Sequence, residues 1–128
     1  MKKSYWIQSE QSRQTYKSLG DNIETDICII GGGITGISIA YYLNQFKIRN
    51  VVLEKDRICG RTSGYSTAKI TSQHGLFYKY LIDSQGEEFA KKYYEANQEG
   101  LQNTKNIIEK EKIDCELKEQ QATRQSFA

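Results

Sequence analysis

Asp26-Ile27-Cys28-Ile29-Ile30-Gly31-Gly32-Gly33-Ile34-Thr35-Gly36 is the stretch that decides the fold. Its first five residues form a short, almost unbroken apolar run. That is the pattern of a strand buried on both faces, as in a parallel sheet. Three glycines then stop it. From Ile34 to Phe46 the period becomes helical: Gly36, Ala40 and Leu43 fall at i, i+4 and i+7 and share one face, which Ile37 and Tyr41 widen. Asn44 and Lys47 begin the exit. Val51-Val52-Leu53-Glu54 reads as a second buried strand. Strand, glycine turn, helix and strand over residues 26–54 make a crossover unit. Two parallel neighbours require one, and it is almost always right-handed.

Gly31-Gly32-Gly33-Ile34-Thr35-Gly36 also fits G-x-G-x-x-G. Alone the string is weak. Here it follows a strand, opens a helix and precedes a second strand ending in an acid, which is the context dinucleotide binding needs. Gly31 permits a tight turn, Gly33 lets the backbone approach a pyrophosphate, and Gly36 lets the helix pack closely on the sheet. The pyrophosphate charge would meet free N–H groups and the positive end of the helix dipole. Glu54 lies about 20 residues further on, where its carboxylate can accept both ribose hydroxyls and repel a 2′-phosphate. The expected fold is α/β, with a Rossmann-like parallel sheet. The bland alternative is a structural glycine turn with Glu54 as a solvated strand end.

Residues 55–75 read as a loop rich in Gly, Ser and Thr, with Lys55, Arg57, Arg61 and Lys69. Hydroxyls and cations in Arg61-Thr62-Ser63-Gly64 and Ser66-Thr67 suit phosphate or ring contacts, or simply solvent. From about Gln85 to Lys112 the chain is helical again, with Phe89, Tyr93, Ala96, Gly100 and Leu101 on one side and charges on the other. Residues 1–22 read as a polar N-terminal arm whose few aromatics pack onto something else. His74, the only histidine, is either a general base, a ring contact or chemically idle. Cys28 reads as a small core residue and Cys59 as a thiol beside the loop.

Composition bounds the class. At 128 residues the chain is at most one ordinary domain, and 38% hydrophobic residues allow a real core. Collagen, a disulfide scaffold and wholesale disorder are excluded. A net charge of +2 gives no electrostatic case for nucleic acid. No apolar run approaches a membrane span. Three widely spaced cysteines suggest reduced thiols and a cytoplasmic setting. No C-x-x-C, metal-ligand cluster or G-x-S-x-G is present.

With those residues in place, the sequence resembles flavin oxidoreductases of the glycine/D-amino-acid oxidase family. The resemblance covers roughly residues 4–122. It includes Ser4-Tyr5-Trp6, the Gly31–Gly36 turn, Glu54-Lys55 and the run from Gly60 to Lys69. Thr71-Ser72-Gln73-His74-Gly75-Leu76 is similar to a subgroup that often carries a C-terminal Rieske iron–sulfur domain. The helix with Tyr94, Ala96 and Asn97, and Ile113-Asp114-Cys115 after it, fit as well.

The resemblance implies FAD, with its adenine end at Glu54 and Lys55 and its pyrophosphate on Gly31, Gly33, Ile34, Thr35 and Gly36. Arg61, Thr62, Ser63 and Thr67 would run along the pyrophosphate and ribityl chain toward the ring. The implied reaction is hydride transfer from the carbon next to an amine or amino-acid nitrogen to flavin N5, on a small-molecule substrate. Family members run to several hundred residues. Residues 23–122 are therefore expected to be the N-terminal part of an FAD-binding domain, with a long helical insertion after the second strand. Residues 123–128 diverge. The expected product is a truncated or frame-shifted chain or a deliberate fragment, inactive by itself, with an exposed sheet edge that favours self-association. No residue can be assigned as catalytic, and no Rieske ligand set can be assembled from three cysteines and one histidine. Rival readings are a small NAD-binding Rossmann protein and a non-catalytic nucleotide-binding or interaction module.

Overall fold

The computed structural model describes residues 4–9 and 15–120, and the chain divides into two compact units, residues 1–68 and 69–128. The expected divergent tail, 123–128, lies outside the described residues.

In the first unit, helix α1 (Tyr5–Ser9) is followed by strand β1 (Ile27–Ile30), helix α2 (Ile34–Gln45), strand β2 (Asn50–Leu53) and a 3-10 turn (Thr62–Tyr65). β1 and β2 are parallel, with Ile27 opposite Asn50 and Ile30 opposite Leu53. The ladder runs one residue further: the Gly31 N–H donates to the Leu53 carbonyl at 2.8 Å. At the other end Arg49 donates to the Asp26 carboxylate at 2.9 Å. That hydrogen bond, more than the attraction of the charges alone, holds the Asp26 carboxyl below its ordinary value. This is the crossover expected of a Rossmann-like fold.

α2 ends without a glycine. Lys47 takes the left-handed conformation (φ 57°), at a cost of about 1–2 kcal/mol for a residue with a Cβ. In return the Ile48 N–H reaches the Leu43 carbonyl at 3.0 Å. The Asn50 amide donates to Asn44 Oδ1 at 2.8 Å, so the end of α2 is tied directly to the start of β2.

The helix face expected from the sequence is the inner one. Gly36 is buried and Ala40, Tyr41 and Leu43 are half-buried, while Ile34, Ile39 and Phe46 face outward; Ile37, expected to widen the inner face, is exposed. The expectation of two buried strands needs correction: β2 is half-buried along its length, and β1 is covered less. Only Ile29 is buried; Ile30 is 88% exposed, and Cys28 is exposed rather than in a core. Among the described residues the sheet has two strands with α2 packed on it, so one edge of β1 and much of its surface have no cover. An apolar run reports what a strand can bury, and burial itself needs neighbours.

The second unit is a helical hairpin, α3 (Phe77–Gln85) and α4 (Glu87–Lys110). Gly86 joins them at φ 88°, a conformation that favours a residue without a Cβ. Leu81 and Ala90 are buried between the helices. Glu87 and Glu88 sit in the first turn of α4 and Lys110 in the last, matching the helix dipole. α4 fits the expected span closely. α3 carries no local sequence signal: it is short and its start at Leu76 has no capping side chain. Its aromatics instead pack on α4, with Phe77 and Tyr93 ring centres 5.4 Å apart. No helix among the described residues is long and apolar enough to cross a membrane.

Candidate nucleotide-binding site

The glycine turn links the end of β1 to the start of α2. Gly31 has φ 106°, which a side chain would strain. A Cβ on Gly36 would lie 2.0 Å from the Gly31 carbonyl oxygen, so α2 rests directly on the turn. Gly33 is the residue before the helix, and no side chain of its own caps α2. The cap comes from a distant segment: Ser63 Oγ accepts the Ile34 N–H at 2.9 Å. That N–H is one of the donors a helix leaves unpaired at its start.

Glu54 stands just beyond β2, and its carboxylate faces the turn. Oε2 accepts the Gly32 N–H at 2.8 Å, and Oε1 accepts the Asp56 N–H at 3.0 Å. The Gly32 hydrogen bond is the main cause of a carboxyl held below its ordinary value, with the Asp56 bond next. Each oxygen keeps a further lone pair for a ligand hydroxyl. Glu54 is thus a brace for the glycine turn as well as a candidate ribose acceptor.

Gly33, Glu54, Arg61, Thr62 and Ser63 line one hollow of about 170 Å³, together with Arg57, Cys59 and Gly60. Two strand ends and the loop after β2 therefore bring five of the expected site residues to one place. Ile34 and Thr35 lie beside it at the start of α2, on a broader apolar hollow with Ile39, Tyr42 and Phe46. Arg61 pairs with Asp56 at 2.9 Å on the surface. Lys55 and Thr67 are exposed and are not part of the hollow's lining.

The motif alone missed the role of its middle glycine. Gly32 is buried, and a Cβ there would lie 2.5 Å from Ile58 Cδ1 and 3.2 Å from Glu54 Cβ. Its carbonyl accepts the Cys59 N–H at 2.8 Å, which folds the loop back over the turn. Cys59 itself has φ 53°. The third consecutive glycine was the available signal. His74 is accounted for differently. Its Nε2 lies 3.2 Å from the Thr71 carbonyl, which can only accept, so Nδ1 accepts the Tyr93 hydroxyl at 3.0 Å. Both nitrogens are engaged within the second unit, where the ring ties the 71–74 segment to α4.

A parallel crossover with a glycine turn at the start of its helix and an acid at the end of the second strand is the arrangement of a dinucleotide-binding α/β protein. Gly33, without a side chain, lines the hollow where a nucleotide diphosphate would approach, and Gly36 sets α2 directly on the turn. Residues 26–124 match the FAD dependent oxidoreductase family, DAO, and the chain belongs to that family. The family is FAD-dependent.

Among curated relatives, the chain is 39% identical over 119 residues to YhfW of Bacillus subtilis, described as a Rieske 2Fe-2S iron-sulfur protein. That match covers 93% of this chain and 23% of the relative. It is 28% identical over 115 residues to gamma-glutamylputrescine oxidoreductase of Escherichia coli, covering 90% of this chain and 27% of that protein. A shorter match, 53% identical over 38 residues, is to the flavin-containing amine oxidase A of Sus scrofa, 29% of this chain and 7% of that one. The chain spans about a quarter of the length of the first two. No solved structure matches it significantly.

Proposed function

We propose that this chain is the nucleotide-binding portion of a flavin-dependent oxidoreductase acting on a small amine or amino acid. The observation that carries the reading is the Gly31–Gly36 turn with the Glu54 carboxylate braced against it. Gly31, Gly33, Ile34, Thr35 and Gly36 would receive the pyrophosphate of FAD, Glu54 and Lys55 the adenosine end, and Arg61, Thr62, Ser63 and Thr67 the path toward the ring. FAD, when bound, would supply the redox chemistry, hydride acceptance from the carbon beside the substrate nitrogen. The residues of this chain bind and orient; none is assigned to substrate. The names of the gamma-glutamylputrescine and amine-oxidase relatives support an amine substrate.

By itself the 128-residue chain is expected to bind flavin without turning over amines. Residues 1–22 act as an arm and 23–122 as the FAD-binding segment. The open edge of β1 favours self-association. The cytoplasm is the proposed location, where thiols such as those of Cys28, Cys59 and Cys115 stay reduced.

The test is the visible absorbance of the purified chain after incubation with FAD and desalting. Retained flavin bands support the reading. A folded chain that retains no flavin but binds NAD favours the nicotinamide alternative, which Glu54 would serve equally well. Flavin reduction by amines with this chain alone would refute the expected inactivity.

A further inference from the structure

We infer that α1 is a positioning element for the cofactor loop, and that it acts through Ser63 on the first N–H of α2. The inference rests on the nucleotide-binding reading and adds Trp6 and Ile7 to it.

Two contacts join α1 to the 3-10 turn. The Trp6 indole N–H donates to the Ser66 carbonyl at 3.0 Å, across 60 positions of sequence. Ile7 lies against Gly64, which is buried in the turn: a Cβ there would sit 3.1 Å from Ile7 Cδ1 and 2.4 Å from the Cys59 carbonyl oxygen. α1 thus holds the turn at its exit and at its third residue. Ser63 lies immediately before Gly64, and its hydroxyl accepts the Ile34 N–H at 2.9 Å.

The consequence is chemical. The Ile34 N–H has no partner within the helix and stands at the place where a diphosphate would be received. The Ser63 hydroxyl satisfies that donor as an acceptor and keeps its own proton to donate. A turn held by Trp6 and Ile7 keeps this hydroxyl at the mouth of α2, ready to donate to an incoming anion. A turn released by loss of those contacts leaves a solvated N–H and a hydroxyl that must be ordered on binding. α1 therefore contributes to cofactor affinity without touching the cofactor.

The experiment compares the full chain with Trp6→Phe, Ser63→Ala and the double variant. Trp6→Phe keeps a ring and removes the indole donor; Ile7→Ala is a second, independent release of the turn. Without nucleotide, the Ile34 amide resonance is expected to move in Trp6→Phe and Ile7→Ala in the direction it moves in Ser63→Ala. With FAD, each of Trp6→Phe and Ser63→Ala is expected to bind about five- to tenfold more weakly, the scale of one hydrogen bond. The double variant is expected to be no weaker than Ser63→Ala, since Trp6 acts through that residue. An unmoved Ile34 amide in both α1 variants overturns the inference, and so do single effects that multiply in the double variant. Wild-type binding of FAD with unchanged Trp6→Phe affinity overturns it while leaving the proposed function standing. A folded wild-type chain that binds no FAD refutes the proposed function, and with it the role of α1 in cofactor affinity.

Discussion

Gly36→Ala sets two effects of opposite sign against each other. In an exposed helix interior, alanine stabilises relative to glycine by about 1 kcal/mol. At Gly36 the new Cβ would stand 2.0 Å from the Gly31 carbonyl oxygen. A close carbon–oxygen approach is about 3.3 Å, so helix or carbonyl must yield by roughly 1.3 Å. The obstacle is backbone, in a turn held by the Gly31–Leu53 hydrogen bond and by a positive φ, so no rotamer change relieves it. Overpacking of this kind costs about 1–3 kcal/mol, and the upper end applies where nothing soft can move. The net expectation is a loss of about 2 kcal/mol. For a chain of this size that is a fall in Tm of about 8 °C.

Thermal melts followed by circular dichroism measure it. Gly100→Ala is the matched control, because Gly100 lies within α4 with nothing within 4 Å of a Cβ. It is expected to gain up to about 1 kcal/mol. A Gly36→Ala melting point equal to or above wild type would refute the claim that close approach of α2 to the glycine turn dictates this residue. Retention of flavin is expected to fall with stability in Gly36→Ala and to stay unchanged in Gly100→Ala.

Glu54→Gln is expected to remove pH dependence as well as flavin affinity. Because the folded carboxyl is held below its ordinary value, its contribution is present above the unfolded value and is lost as pH falls through the folded one. Urea midpoints between pH 7 and pH 3 should therefore fall less steeply in Glu54→Gln than in wild type; parallel curves would count against the Gly32 brace. Tyr93→Phe leaves His74 Nδ1 without its hydroxyl partner and is expected to cost about 1 kcal/mol in urea unfolding, with no change in flavin binding. A flavin effect would reopen a chemical role for His74. Ile30→Lys places a charge on the most exposed apolar residue of β1 and is expected to reduce concentration-dependent association in sedimentation velocity; a wild type monomeric throughout would refute the open-edge reading.

The crossover and the glycine turn were legible because their causes are local. A period change at Gly31–Gly33, glycines at fixed offsets and an acid after the second apolar run are properties of the chain order itself. α4 was legible for the same reason, as a long amphipathic stretch with acids at its start. α3 was not, because its stabilisation comes from Phe77, Tyr78 and Leu81 packing on α4, and no local signal opens it.

At the site, the sequence by itself determined which residue types could receive a diphosphate and a ribose. Tertiary structure decided what those residues actually touch. Glu54 turns inward to two backbone N–H groups, a Cβ on Gly32 would have to displace the end of the Ile58 side chain, and Ser63 caps a helix that begins 29 positions earlier. Trp6 reaches Ser66, and Cys28 stays at the surface of its strand. Hydrogen bonds and exclusions between distant positions depend on distance in space, and periodicity carries no record of that distance. Local pattern therefore specified the elements and their chemistry, and packing assigned each polar group its partner.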